Sequence, residues 1–100
     1  MAQYTNKNRL DLTIDLGTTS DPLHIPEGAL NVTVTLSPGT SGTVQYTTSS
    51  KDKIVAGSAV WIDWTAGSVT VDTRSVYAGT MSGIRASAVT SDAELEVMWT

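Results

Sequence analysis

Residues 30 to 36 read Leu-Asn-Val-Thr-Val-Thr-Leu, and the run Ser37-Pro38-Gly39-Thr40-Ser41-Gly42 follows at once. Apolar and small polar residues alternate with period two, the spacing at which an extended chain points successive side chains to opposite faces. The turn formers then stop the alternation. A segment built this way cannot be an amphipathic helix, and the same device recurs along the chain. The sequence therefore specifies an all-β fold of short strands with one buried face each.

Leu10-Asp11-Leu12-Thr13-Ile14-Asp15-Leu16 alternates without a break, with four aliphatics on one side and Asp11, Thr13 and Asp15 on the other. Residues 17 to 22 are a turn cluster. Leu23-His24-Ile25 lies between Pro22 and Pro26, neither of which can donate to a ladder, so it is at most a short edge strand. Pro26-Glu27-Gly28-Ala29 turns the chain into 30–36. Residues 43 to 49 are expected to return as its hairpin partner, with Val44, Tyr46 and Thr48 inward. Residues 50 to 58 form a connection that carries Lys51 and Lys53, with no segment of helical period. Residues 59 to 64 and 69 to 73 are expected to make a second hairpin through the turn 65–68. Residues 74 to 83 lack clean alternation and read as a loop with room for one helical turn. Ile84 to Val89 follows with small residues inward, and Leu95, Val97 and Trp99 share one face of the last strand. Gly39, Gly42 and Gly83 all read as turn residues.

About seven or eight strands at a spacing of roughly 8–12 residues make a single antiparallel β-sandwich, with jelly-roll or immunoglobulin-like topology open. Residues 1–9 are a polar lead-in or arm, and 10–100 form the one domain. A chain of 100 residues can bury about two thirds of its unfolded surface, which suffices for a modest core.

The composition narrows the chemistry. There is no cysteine, so neither a disulfide framework nor a thiolate zinc site is available. The first nine residues have no apolar segment of the signal-peptide kind, and no apolar run reaches the about 18 residues of a membrane helix. No membrane partner is expected. The net charge is −4, and Lys7, Arg9, Lys51, Lys53, Arg74 and Arg85 are scattered without a basic stripe. That argues against nucleic acid as a direct ligand, since phosphate binding needs clustered cations. Only 16% of residues are charged, against about 25% in ordinary soluble domains. Threonine, serine and alanine fill the difference, a surface suited to packing against copies of itself or a lattice, and equally to a plain β-sandwich.

No catalytic motif stands out. Asp11 and Asp15 share a face about 13 Å apart at a strand rise of about 3.4 Å, too far to act as a glycosidase pair. His24 is the one histidine, which leaves zinc without its usual ligands, and no Gly-x-Ser-x-Gly elbow exists. Asp63 and Asp72 are expected to face one another across adjacent strands. Neither they nor the loop 15–21 has the ligand register of a calcium loop. The expectation is no enzyme and no cofactor. The tryptophans say more: Trp61 and Trp64 have opposite parity in their strand, so one is buried and the other is exposed, covered by a loop, or buried in a subunit contact.

From residue 10 onward the order of elements is distinctive. An amphipathic strand leads through Ile25-Pro26-Glu27-Gly28-Ala29 into Leu-Asn-Val-Thr-Val-Thr-Leu-Ser-Pro-Gly. Then come Gly42-Thr43-Val44-Gln45-Tyr46-Thr47-Thr48-Ser49, Val60-Trp61-Ile62-Asp63-Trp64 with Ala66-Gly67-Ser68-Val69-Thr70, and Gly83-Ile84-Arg85-Ala86 before a closing Glu-Leu-Glu-Val strand. This resembles the small β-structured virion proteins of tailed bacteriophages, and head decoration (cement) proteins are most similar in size and composition. The resemblance implies a structural protein made in the host cytoplasm that ends on the outer capsid surface of the virion. Its partner would be the major capsid protein, and it would act as a homo-oligomer, a trimer or a dimer. The candidate interface residues are Tyr4, Arg9, Lys51, Lys53, Trp61, Trp64 and Tyr77. Two other readings stand beside it. One is a carbohydrate- or host-binding module of a tail fibre or spike, with an exposed tryptophan beside Asp63 or Asp72. The other is a head–tail or tail structural protein.

Overall fold

A computed structural model describes residues 9–26, 29, 31–77, 81–88 and 91–99. The strands are β1 (Arg9–Ile14), β2 (Leu23–His24), β3 (Val32–Pro38), β4 (Gly42–Thr47), β5 (Ile62–Asp63), β6 (Thr73–Tyr77), β7 (Gly83–Ala88) and β8 (Ala93–Met98). One helix, α1 (Lys51–Ala56), joins β4 to β5. Tyr4 and the rest of the lead-in 1–8, the turn residues Glu27 and Gly28, Leu30, part of the expected loop at 78–80, residues 89–90 and Thr100 lie outside the described residues. Arg9, expected in the arm, opens β1.

The strands form two four-stranded antiparallel sheets, in the orders β1-β8-β3-β6 and β2-β7-β4-β5. Pairing follows a simple rule: β1 with β8, β2 with β7, β3 with β6 and β4 with β5. The chain is thus one long hairpin folded back at α1 and then rolled over, and the contacts β3·β8 and β4·β7 close the two sheets. That is a jelly roll, which resolves the topology the sequence left open.

Two expected hairpins are absent. Residues 30–36 and 43–49 do not pair, because β3 and β4 lie in different sheets. The segment between them is an arch across the sandwich. Gly42 exchanges two backbone bonds with Val69, at 3.0 and 2.8 Å, and pairs with Ala88 of β7. A Cβ on Gly42 would sit 2.8 Å from the Ser87 carbonyl oxygen and 3.2 Å from Leu36 Cδ2, so the layers meet where only glycine fits. Gly42 and Gly83 are accordingly strand residues rather than turn residues. The second expected hairpin, 59–64 with 69–73, is replaced by a short β5 and a later β6. Gly67, at φ 64°, closes a turn in which its N–H donates to the Trp64 carbonyl at 3.1 Å and its own carbonyl accepts from the Trp64 indole Nε1. The chain then crosses to the other sheet, and β6 pairs with β3 inside the stretch read as a loop. Its alternation is real but carried by Thr73, Ser75 and Tyr77 inward, so hydrophobic period could not reveal it.

The helix was likewise hidden. Ser50 caps it by accepting from the Lys53 N–H at 3.4 Å, and Gly57 ends it at φ 79° with its N–H on the Ile54 carbonyl. Ser58 N–H reaches the Lys53 carbonyl at 2.9 Å. Ile54 is its one buried residue, and a single anchor makes no stripe.

The core lies between the sheets: Ile14, Val32, Val34, Leu36, Val44, Trp64, Ile84, Leu95, Val97 and Trp99 are buried, together with the small Ala86, Ala88 and Ala93. Each large aliphatic among them contributes about 1.5–3 kcal/mol, against about 0–1 for a surface ion pair, so this layer holds the fold. One buried residue is on the wrong side for that core. Thr47 is 0% exposed although it shares outward parity with Gln45, whereas Thr48, expected inward, is exposed and Tyr46 is half-buried. The reason is α1. A Cβ on Gly83, the partner of Thr47, would meet Ile54 Cδ1 at 3.0 Å and Thr47 Cγ2 at 3.3 Å. The helix therefore packs on the outer surface of the β2-β7-β4-β5 sheet. The Thr47 hydroxyl accepts from Ser49 N–H at 3.0 Å, so its burial leaves no polar group stranded.

Candidate functional site

The outer face of that sheet, beside α1, gathers side chains from three strands. On β7, Ile84, Ala86 and Ala88 point inward, so Arg85 points out. Across the ladder Arg85 lies opposite Gln45, and Gln45 lies opposite Asp63. Arg85 Nε donates to Gln45 Oε1 at 2.8 Å, and Gln45 Nε2 donates to Asp63 Oδ1 at 2.8 Å. These two bonds fix which way the Gln45 amide faces. Arg85 Cζ sits 4.3 Å from the centroid of the Trp61 ring. Stacking and a bonded Nε hold the guanidinium plane in place, while the terminal nitrogens have no partner among the described residues.

The parity conflict resolves as expected. Trp64 is buried at 2% exposure and its indole N–H is bonded, whereas Trp61 is half-buried on the outside under Arg85. Ile62, 45% exposed, lies opposite Tyr46 in the ladder and so has the parity of Trp64, and Val60, 69% exposed, has the same parity; both point away from the Trp61 side, and Val55 of α1 is 73% exposed. Lys51 and Lys53 are carried by α1 on the outside of the same sheet, Lys51 toward His24 and Pro26. Three cations, Lys51, Lys53 and Arg85, thus accompany two carboxylates, Asp52 and Asp63, one of them already held by Gln45. In a chain of net charge −4, this is the less acidic side.

The opposite outer face, on β1, β8 and β3, is a shallow groove of about 330 Å³ lined by Arg9, Asp11, Thr13, Thr35, Glu94 and Glu96 among others. Arg9 serves the carboxylates there, at 2.7 Å from Glu96 and 3.2 Å from Asp11. Arg74 Nε donates to Thr35 at 3.2 Å.

Of the sequence candidates, Lys51 and Lys53 sit on α1, Lys51 lining a pocket with His24, Pro26 and Ser82, while Trp61 lies under Arg85. Trp64 belongs to the core, Arg9 to the other face, and Tyr4 lies outside the described residues. Tyr77 lies where the free edges of the two sheets meet, its ring 5.0 Å from Tyr46. Its hydroxyl is buried beside Ser75 and the Thr65 backbone without completing a hydrogen bond, and burial pushes its pKa above the ordinary 10.0. Asp63 and Asp72 do not face one another, because Asp72 precedes β6 in the other sheet. His24 is exposed on edge strand β2. Among the described residues no group of three or more His, Asp or Glu is placed to hold a metal. Sequence reasoning missed Arg85 and Gln45. The outward parity of Arg85 was readable, but its stack on Trp61 depends on a register that runs through β4.

No protein family matches the sequence, and no curated protein matches it. Among solved structures, the crystal structure of a protein called PirA is similar in fold: it covers 98% of this chain and 98% of its own, with a TM-score of 0.50 at 16% identity. This likeness concerns the arrangement of strands alone.

Proposed function

We propose that this protein is a structural docking protein of the head-decoration kind, and that it binds another protein through the outer face of the β2-β7-β4-β5 sheet. The observation that carries the reading is Trp61, left partly exposed outside a sandwich that buries Trp64, with Arg85 over its ring. Tryptophan and arginine are among the residue types that dominate binding energy at protein interfaces. The finer identification, a phage head protein that locks neighbouring capsid subunits, rests on the resemblance of the sequence's order of elements, size and composition to virion proteins. A jelly roll hosts many functions, so the fold adds little of its own. Physically the role is simple: area buried across a capsid joint raises the free energy needed to open the shell.

The test is to purify particles of the phage that carries the gene and ask by mass spectrometry and cryo-electron microscopy whether the protein decorates the head. Co-sedimentation of added protein with expanded heads that lack it should be saturable, and Trp61→Ala should abolish it. Absence from the particle, or binding indifferent to Trp61, overturns the reading. A sugar platform on the same tryptophan has Gln45 and Asp63 nearby in its favour, but Arg85 already occupies one face of the ring. Glycan-array binding lost in Trp61→Ala would restore it.

A further inference from the structure

We infer that Arg85 is a prearranged anchor for a carboxylate of the partner protein, an Asp or Glu side chain or a chain terminus presented to the Trp61 face. This rests on the docking reading and names the chemistry of the other side. A guanidinium normally loses considerable freedom when it engages a ligand; here that freedom is already gone. The Trp61 ring holds the plane from one side at 4.3 Å, and Gln45 holds Nε at 2.8 Å. Asp63, the nearest carboxylate in the ladder, is turned to Gln45 Nε2 instead of to Arg85. The terminal N–H groups, the fork that matches a carboxylate in two parallel bonds, are what remains to be used.

Charge selects the occupant. This side carries Lys51, Lys53 and Arg85 against Asp52 and Asp63, so an acidic segment meets less repulsion here than on the rest of the acidic molecule. A second copy is the weaker partner, since two molecules of net charge −4 repel one another on approach. The occupant is therefore a different protein.

A synthetic array of short peptides decides the matter, with Asp/Glu-containing sequences beside their Asn/Gln twins, each with free and amidated C-termini. It is probed with the wild-type protein, Arg85→Gln and Arg85→Lys. The expected result is binding of carboxylate-bearing peptides that falls about tenfold to a hundredfold in Arg85→Gln, as loss of a charge-assisted hydrogen bond predicts. Arg85→Lys keeps the charge and loses the fork, so it should recover only part of that. Matching melting curves for the variants keep a folding defect from posing as lost recognition. The inference is overturned if no peptide binds, if Asn/Gln twins bind equally, or if Arg85→Gln binds as wild type does. Self-association that disappears in Arg85→Gln would put a second copy in the site and overturn the commitment to a different protein. Heads that bind the wild type and Arg85→Gln alike would remove the anchor while leaving docking intact; heads that bind neither, with the peptide result positive, would do the reverse.

Discussion

Replacing Gly42 with alanine separates the arch from the hairpin by the sign of its effect. In a solvent-exposed hairpin turn, with a backbone conformation that any residue can adopt, Gly→Ala stabilises by about 0.4–1 kcal/mol because the unfolded chain has less freedom to lose. Gly42 has no positive φ, so that gain is available in principle. The folded structure opposes it. The added Cβ would lie 2.8 Å from the Ser87 carbonyl oxygen, 3.2 Å from Leu36 Cδ2 and 3.6 Å from Pro38 Cβ. The leucine methyl can yield a few tenths of an ångström. The carbonyl cannot move cheaply, because β7 is bonded to β2 on one side and β4 on the other. Overpacking of this kind costs about 1–3 kcal/mol, which leaves a net loss of about 1–2 after the entropic gain.

At about 4–8 °C per kcal/mol for a domain of this size, Gly42→Ala should lower the melting temperature by about 4–16 °C. Thermal unfolding followed by circular dichroism reads this directly, and urea unfolding should move the midpoint without changing the slope. The double variant Gly42→Ala with Leu36→Val removes the softer contact, so its cost should fall short of the sum of the two single changes. A melting temperature unchanged or raised in Gly42→Ala would refute the close approach of Gly42 to β7, and with it the arch between β3 and β4.

Tyr77→Phe should leave stability unchanged or raise it by up to about 1 kcal/mol, since it removes a buried hydroxyl that completes no hydrogen bond; a clear loss in urea unfolding would show that the hydroxyl is bonded. The raised pKa of Tyr77 stabilises the folded state fully below the unfolded value of 10.0, and this is lost as pH rises through the folded value. Absorbance near 295 nm should therefore show one tyrosine that ionises late and takes the fold with it. Ser50→Ala and Gly57→Ala should each cost about 1 kcal/mol by loosening the two ends of α1, read as faster amide hydrogen exchange at Ile54 before any change in the sheet. Trp61→Leu should cost at most about 1 kcal/mol in denaturant unfolding while the Arg85 Nε–H resonance broadens or shifts, the mark of a side chain that has lost its stack.

Much of the strand content was legible because aliphatic residues carried it. Val32, Val34 and Leu36, or Leu95, Val97 and Trp99, announce a buried face by spacing alone. Where small polar residues took the inward positions, as Thr73 and Ser75 do in β6, the same geometry left no apolar trace. Topology was less accessible for a different reason. Pro38, Gly39 and Gly42 make a tight reversal equally well within a sheet or across a sandwich, and what decides is partners such as Val69 and Ala88, far along the chain. Helix α1 escaped because it lies on the outside of a sheet with only Ile54 anchored, so its polar faces dominate the pattern.

The candidate site was half legible on the same principle. Opposite parity required that Trp61 and Trp64 part company, and this needs no long-range information. Arg85 could be placed on the outside of its strand, but not over Trp61, because that juxtaposition runs through Gln45, 40 residues earlier. The jelly-roll winding makes it: pairing β4 with both β5 and β7 sets one residue of each strand in a row, Arg85, Gln45 and Asp63. The row then does what none of its members does alone. Asp63 orients Gln45, Gln45 leaves the arginine fork open, and Trp61 keeps its plane fixed. Two side chains are thus committed to holding a third, support that a solvated arginine does not need, and on the docking proposal this is what keeps the fork ready for a carboxylate.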